Sequence, residues 1–314
     1  MQPIYTSEGA TSRQPTLGGL IMLVGFVLIG GVVSTLLLFG ILAASKGLSL
    51  EQAQGYLSGL AANPMASPNS WYELMILQAV NHLGTFFLPA LAYWYLIERR
   101  GWSQFNARPA SAVAGLGLVV LIVIAFMPFD GLIIEWNQSL HLPETLAPIE
   151  QWIRDKEKNL EGITKYLTTF ETTGQLLVAF LVIAIVPGIG EEVLFRGILQ
   201  RNFSYWLGNP HVGIWLAAAL FSAIHVQFLG FFPRMLLGAL FGYLYLWSGN
   251  IWVPILAHFV NNGFTVLMVY LYQQKLVPIN IESAESVPIP GAIVALGITT
   301  GLLYYFRQLN QPNG

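Results

Sequence analysis

Glu191 and Glu192 stand side by side in the stretch Pro187–Gly197, "PGIGEEVLFRG", directly after the uncharged run Leu176–Val186. A charge placed in or beside a membrane-length apolar segment is costly, so it needs a partner or a task. Glu192 and Arg196 are four residues apart and share one helix face, where they can pair. Glu191 lies about 100° around the same helix, so it stays free while its neighbour is neutralised. Pro187 removes a backbone donor just before the pair, and Gly188 and Gly190 allow another helix to approach closely. Two further polar groups follow on later apolar segments. The first is His225 in "FSAIH" at 221–225, and the second is His258 with Asn262 in "HFVNN" at 258–262, again one helical turn apart. Taken singly, each has an ordinary explanation as an interhelical hydrogen bond or a structural ion pair. Three apolar segments that each bring such groups point instead to a shared site.

The chemistry available to a Glu, two His and an Asn is specific. A carboxylate can take a proton from water. Asn and His can donate to a developing negative charge. Hydrolysis of a peptide bond inside a membrane needs both. Other routes to that chemistry are closed by composition. There is no cysteine, which removes disulfides, thiolate metal sites and a cysteine nucleophile together. An aspartyl dyad needs two intramembrane Asp, whereas Asp130 and Asp155, the only aspartates, fall outside the confident spans. The zinc motif HExxH is absent, and Ser222 has no GxSG setting. A proton relay through Glu191 and the histidines, as in a coupled transporter, is the alternative reading, although no repeat of paired broken helices is visible.

These residues must be held by membrane helices. Of 314 residues, 55% are hydrophobic and 10% charged, against about 25% charged in a soluble domain, and the mean hydropathy is +0.61. The expected class is an all-α polytopic integral membrane protein. Segments of about 20 apolar residues occur near 17–45, 72–97, 110–129, 172–200, 211–229, 231–247, 251–273 and 287–306. The organisation expected is a polar cytoplasmic N-terminus at 1–16 and N-terminal transmembrane helices at 17–129. A loop outside the membrane follows at 130–171, then a catalytic core at 172–273 and a last span at 287–306. The first apolar run is too long for a signal-peptide core and reads as a retained span. Arg99, Arg100, Arg108, Arg201 and Arg307 lie in the loops and tail that would share one side, which places both termini in the cytoplasm, at the cell membrane. Glu191, near the end of its span, is then expected in the cytoplasmic half. Within the loop, Ile149, Trp152, Ile153, Leu160, Ile163 and Leu167 recur at near-helical spacing, as in an amphipathic helix on the outer surface. Asn81 and His82 interrupt the second span, where packing against another helix is the better explanation and a role in a substrate channel the alternative. The net charge of −2 carries no basic excess, so no nucleic-acid partner is implied.

The ordered set "EEVLFR" at 191–196, "FSAIH" at 221–225 and "HFVNN" at 258–262 resembles the CAAX protease and bacteriocin-processing (CPBP, or Abi) family, which includes the type II CAAX prenyl endopeptidases. The resemblance covers about 170–275. It implies an endopeptidase acting on a membrane-associated protein or peptide from within the bilayer. Glu191 and His225 would activate water, His258 and Asn262 would stabilise the oxyanion, and Glu192 and Arg196 would orient the site. No cofactor is fixed by the sequence. A divalent metal, zinc, is the alternative, with Glu191, His225 and His258 as ligands and Glu192 as base; that version leaves Asn262 without a role. The resemblance also admits a non-catalytic member that binds a membrane partner.

Overall fold

A computed structural model describes residues 14–63, 69–108, 113–278 and 288–311; most of the polar N-terminus at 1–16 lies outside the described residues. The helices are α1 (Leu17–Lys46), α2 (Leu50–Ala62), α3 (Ser70–Ile97), α4 (Val113–Gln138) and α5 (Ala147–Leu167). They continue with α6 (Thr173–Leu207), α7 (Pro210–Ala223), α8 (Phe231–Ser248), α9 (Trp252–Gln273) and α10 (Ile289–Leu309). The one pairing of extended backbone among the described residues is an isolated bridge, Asn106 to Asn250. Among the described residues, seven helices are long and apolar enough to cross a membrane. Their outer faces, such as Leu28, Leu36 and Leu37 on α1 and Ile293 and Val294 on α10, are exposed, as lipid contact requires. The chain is an all-α polytopic membrane protein.

Local chemistry sets the helix ends. Thr172 caps α6 by accepting from Gln175 N, and the Gln175 side chain accepts in turn from Thr172 N, a reciprocal cap that satisfies two orphan donors. Asn209 caps α7, with Pro210 at its first turn. Gly208 and Gly249 end α6 and α8 with φ of 62° and 63°, a left-handed conformation open to glycine at little steric cost.

Two expected boundaries change. The fifth segment, 211–229, forms a helix of only 14 residues, α7, followed by a turn. At about 1.5 Å per residue this is too short to cross a hydrocarbon core of about 30 Å alone. The third segment does not stop at 129: α4 runs on through Asp130 to Gln138. Its last turns are held by tertiary contacts, since Asn137 Nδ2 donates to Phe228 O at 3.2 Å and Asn137 Oδ1 accepts from Phe232 N at 3.0 Å. Residues 130–138 are therefore helix, and Asp130 lies within a membrane-length segment.

The central element is α6. It is flanked by α3, by α9 and by the α7–α8 hairpin, while α4 and α10 pack together behind α8 and α9. Contacts at opposite ends give the bundle two faces. On one, Trp206 Nε1 donates to Pro15 O, and Arg108 Nη1 donates to Trp247 O and Asn310 O. On the other, Lys46 pairs with Glu73 at 2.8 Å, and Trp71 Nε1 donates to Leu167 O at the end of α5. The side chains of Ile153 and Leu167 are buried against the bundle, whereas Ile149, Trp152 and Leu160 remain exposed.

Candidate active site

Glu191 is not near the end of its helix but at the middle of α6, with the charged residues on a fully buried stretch. Glu192 and Arg196 pair as their spacing predicts: Arg196 Nη1 donates to Glu192 Oε1 at 2.6 Å, and both side chains are almost inaccessible. The second fork of Arg196 donates to the carbonyl of Gly238 on α8 at 2.9 Å. The guanidinium also lies over the rings of Phe221 and Phe241, at 4.7 and 5.4 Å, a cation–π contact that is strongest where water is absent.

His258, from α9, completes this cluster. Its Nδ1 lies 2.8 Å from the same Glu192 Oε1. A carboxylate oxygen held by arginine only accepts, so Nδ1 is the donor and Nε2 points away from Glu192. That nitrogen lies 3.9 Å from Glu191 Oε2. The adjacent carboxylates thus differ in kind. Glu192 is locked between a cation and an imidazole, whereas no donor among the described residues reaches hydrogen-bond distance of Glu191.

Asn262 owes its position to Pro187. With no N–H, Pro187 leaves the carbonyl four residues back, Ile183 O, without its α-helical donor. Asn262 Nδ2 supplies one at 2.9 Å, and Asn262 Oδ1 accepts from Asn261 at 3.1 Å. The amide is fixed with one N–H still unassigned. Flanking π-helical turns at Phe180–Ile185 and Val193–Gln200 shift the register of α6 on both sides of Glu191; such bulges are frequent at functional sites.

His225 is not on a membrane span. It sits in the turn after α7, where Nδ1 lies 2.8 Å from Phe221 O, leaving Nε2 as the outward nitrogen. The next residue, Val226, has φ of 53°, a strained conformation for a β-branched residue, and the turn carries His225 back toward α6. Glu191, His225, His258 and Asn262 all line one cavity of about 390 Å³. It extends past Asp130, Arg234 and Glu157 to the loop at 227–230. A second cavity, about 370 Å³, meets the first at Glu191, His225 and Asn262.

Every residue singled out by the motifs is therefore in or directly behind one cavity. Three residues of that neighbourhood were not assigned to the site. Asp130 and Arg234 line the cavity; Asp130 was set aside because its helix was expected to end before it. His82, read as a packing residue, faces Glu191 Oε1 at 3.6 Å. Its signal was an ionisable residue inside an apolar span; its partner helix was not legible. The cavity has a direction within the bundle. The cavity runs toward Gln138, α5 and the 227–230 loop, the end of the bundle opposite Pro15 and Asn310. The cavity therefore opens toward the face opposite the termini, while Glu191 itself sits at mid-depth of its helix.

The zinc version requires donors that converge on a point. Among the described residues no three His, Asp or Glu side chains are gathered as a metal-holding set.

A helical membrane protein with a buried Glu–Arg–His cluster at the meeting point of two cavities defines the class. Comparison with known proteins points the same way: residues 173–264, the segment that carries all three motifs, are similar to the family described as type II CAAX prenyl endopeptidase Rce1-like. The chain is also 33% identical over 103 residues to "Uncharacterized protein YpbD" of Bacillus subtilis (strain 168), covering 32% of this chain and 48% of that protein. It is 32% identical over 88 residues to "Putative membrane peptidase YdiL" of the same organism, covering 28% of this chain and 36% of that protein. The match thus spans less than half the length of either relative. No solved structure matches the chain.

Proposed function

We propose that the protein is an intramembrane endopeptidase that hydrolyses a peptide bond in a membrane-associated protein or peptide. The observation that carries this reading is that Glu191, His225, His258 and Asn262, from three separate motifs, line one cavity. Water held between Glu191 and His225 attacks the scissile carbonyl carbon while Glu191 takes its proton. The oxygen of that carbonyl becomes the oxyanion, facing the free N–H of Asn262 and Nε2–H of His258. Collapse breaks the C–N bond, and the proton on Glu191 passes to the leaving amine. Because Nδ1 of His258 already donates to Glu192, an Nε2–H requires the imidazolium form.

The test uses purified protein in liposomes, a pool of prenylated and unprenylated hydrophobic peptides, and parallel samples with and without chelator. Asn262→Ala is expected to lower kcat by about 10²–10³, the effect of deleting one oxyanion donor, with cleavage unaffected by chelator. Cleavage abolished by chelator, together with one zinc per chain, would replace this mechanism with the metal-dependent one. A proton-coupled transporter would instead show pH-driven uptake that survives Asn262→Ala.

A further inference from the structure

We propose that His82 on α3, which belongs to none of the three motifs, is a positioning residue for Glu191. The proposal rests on the reading of Glu191 as the group that activates water. The second span carries two adjacent polar residues, and the structure separates their tasks. Asn81 Oδ1 accepts from Ser34 Oγ on α1 at 3.4 Å and from Thr85 Oγ1 at 3.4 Å, so Asn81 ties α3 to α1. His82 is about 100° further around the helix and faces α6. Its Nε2 lies 3.6 Å from Glu191 Oε1 and is buried without a hydrogen-bond partner. A histidine placed only to fill space would not leave a buried ring nitrogen unpaired.

The approach is built from both sides. Gly190, next to Glu191, is where the ring passes: a Cβ there would stand 3.3 Å from His82 Cδ2 and Nε2. On α3 the ring is backed by Phe86, with centroids 4.8 Å apart. The residues after His82, Leu83–Phe87, form a π-helical turn, which re-aims this part of the helix. Glu191 therefore has one imidazole at each oxygen, His82 at Oε1 and His258 at Oε2. His82 also lines the second cavity together with Glu191, His225 and Asn262. The 3.6 Å separation is just beyond a direct hydrogen bond, and such contacts tighten when substrate enters. Donation from Nε2 fixes the rotation of the carboxylate, so that its other oxygen is presented to water.

His82→Phe removes the donor and keeps an aromatic ring, whereas His82→Gln keeps an N–H near the position of Nε2. In liposomes, with the same peptide pool, His82→Phe should lower kcat about ten- to hundredfold with KM within about twofold, and His82→Gln should recover most of the loss. An independent readout needs no substrate. The Glu191 carboxylate stretch, isolated as the infrared difference between wild type and Glu191→Gln at fixed pH, should shift in His82→Phe and stay close to wild type in His82→Gln. A His82→Phe protein with wild-type kcat, or with an unshifted carboxylate band, overturns the proposal. If even wild type cuts no peptide, the endopeptidase reading fails, while the infrared comparison still decides whether His82 holds Glu191.

Discussion

The adjacent glutamates show how little residue type says without its partners. Glu192 shares one oxygen between Arg196 and His258; Glu191 is also buried, but it lines the cavity and has no hydrogen bond among the described residues. Removing one partner of a buried, hydrogen-bonded pair costs about 3–5 kcal/mol. Glu192→Gln should therefore lower the thermal midpoint of the detergent-solubilised protein. Glu191→Gln removes a buried carboxylate that lacks a hydrogen bond, so its midpoint should equal or exceed that of wild type. A Glu191→Gln protein destabilised as much as Glu192→Gln would assign Glu191 to the scaffold. The Glu192–Arg196 pairing was legible because helical periodicity alone fixes it. His82 was not, because its significance depends on which helix crosses α3 at Gly190, and that is a property of packing rather than of any local spacing.

At the scale of elements, α6 and its neighbours explain where sequence and structure part. Periodicity identified the apolar segments, but the ends of α4 and α7 are set by tertiary contacts: Asn137 on the 228–232 turn, and Ser222 Oγ donating to Phe231 O at 2.7 Å. A hydropathy pattern contains neither. Pro187 illustrates the converse, since its missing N–H is legible in the sequence and serves to create an acceptor for Asn262. Outside the spans, α5 is anchored by a single carboxylate. Glu150 accepts from Leu142 N, His141 Nδ1 and Arg154 Nε, each at 2.8 Å. These partners, the Leu142 N–H foremost, hold its pKa down to about 2, below the ordinary 4.5. A depressed carboxylate contributes order that is complete above the ordinary value and lost as pH falls toward the depressed one. Amide exchange in residues 140–154, corrected for its intrinsic pH dependence, should be flat above about pH 5 and rise between 4.5 and about 2. A Glu150→Gln protein should show the raised exchange at every pH. Protection unchanged down to pH 2 would show that Glu150 does not anchor the segment.

For the whole molecule, the two faces of the bundle set the direction from which the site is reached. Gln138 marks the face carrying α5, and Gln308 marks the face near Asn310; both are exposed. The chain has no cysteine, so each introduced thiol is unique. Glu191→Cys and Gln138→Cys should react with a membrane-impermeant thiol reagent from the same side of sealed vesicles, and Gln308→Cys from the other. If arginine placement does put both termini in the cytoplasm, the cavity mouth faces outward. Labelling of Glu191→Cys only from the Gln308 side would refute this access path. The account as a whole rests on Glu191 directing water onto a peptide carbonyl. The most direct measurement is mass spectrometry of peptide products formed in liposomes prepared in H₂¹⁸O. The wild type should release a product with one ¹⁸O in its new C-terminal carboxylate, and Glu191→Gln should release none. The same labelled product from Glu191→Gln, or no product from wild type, would contradict it.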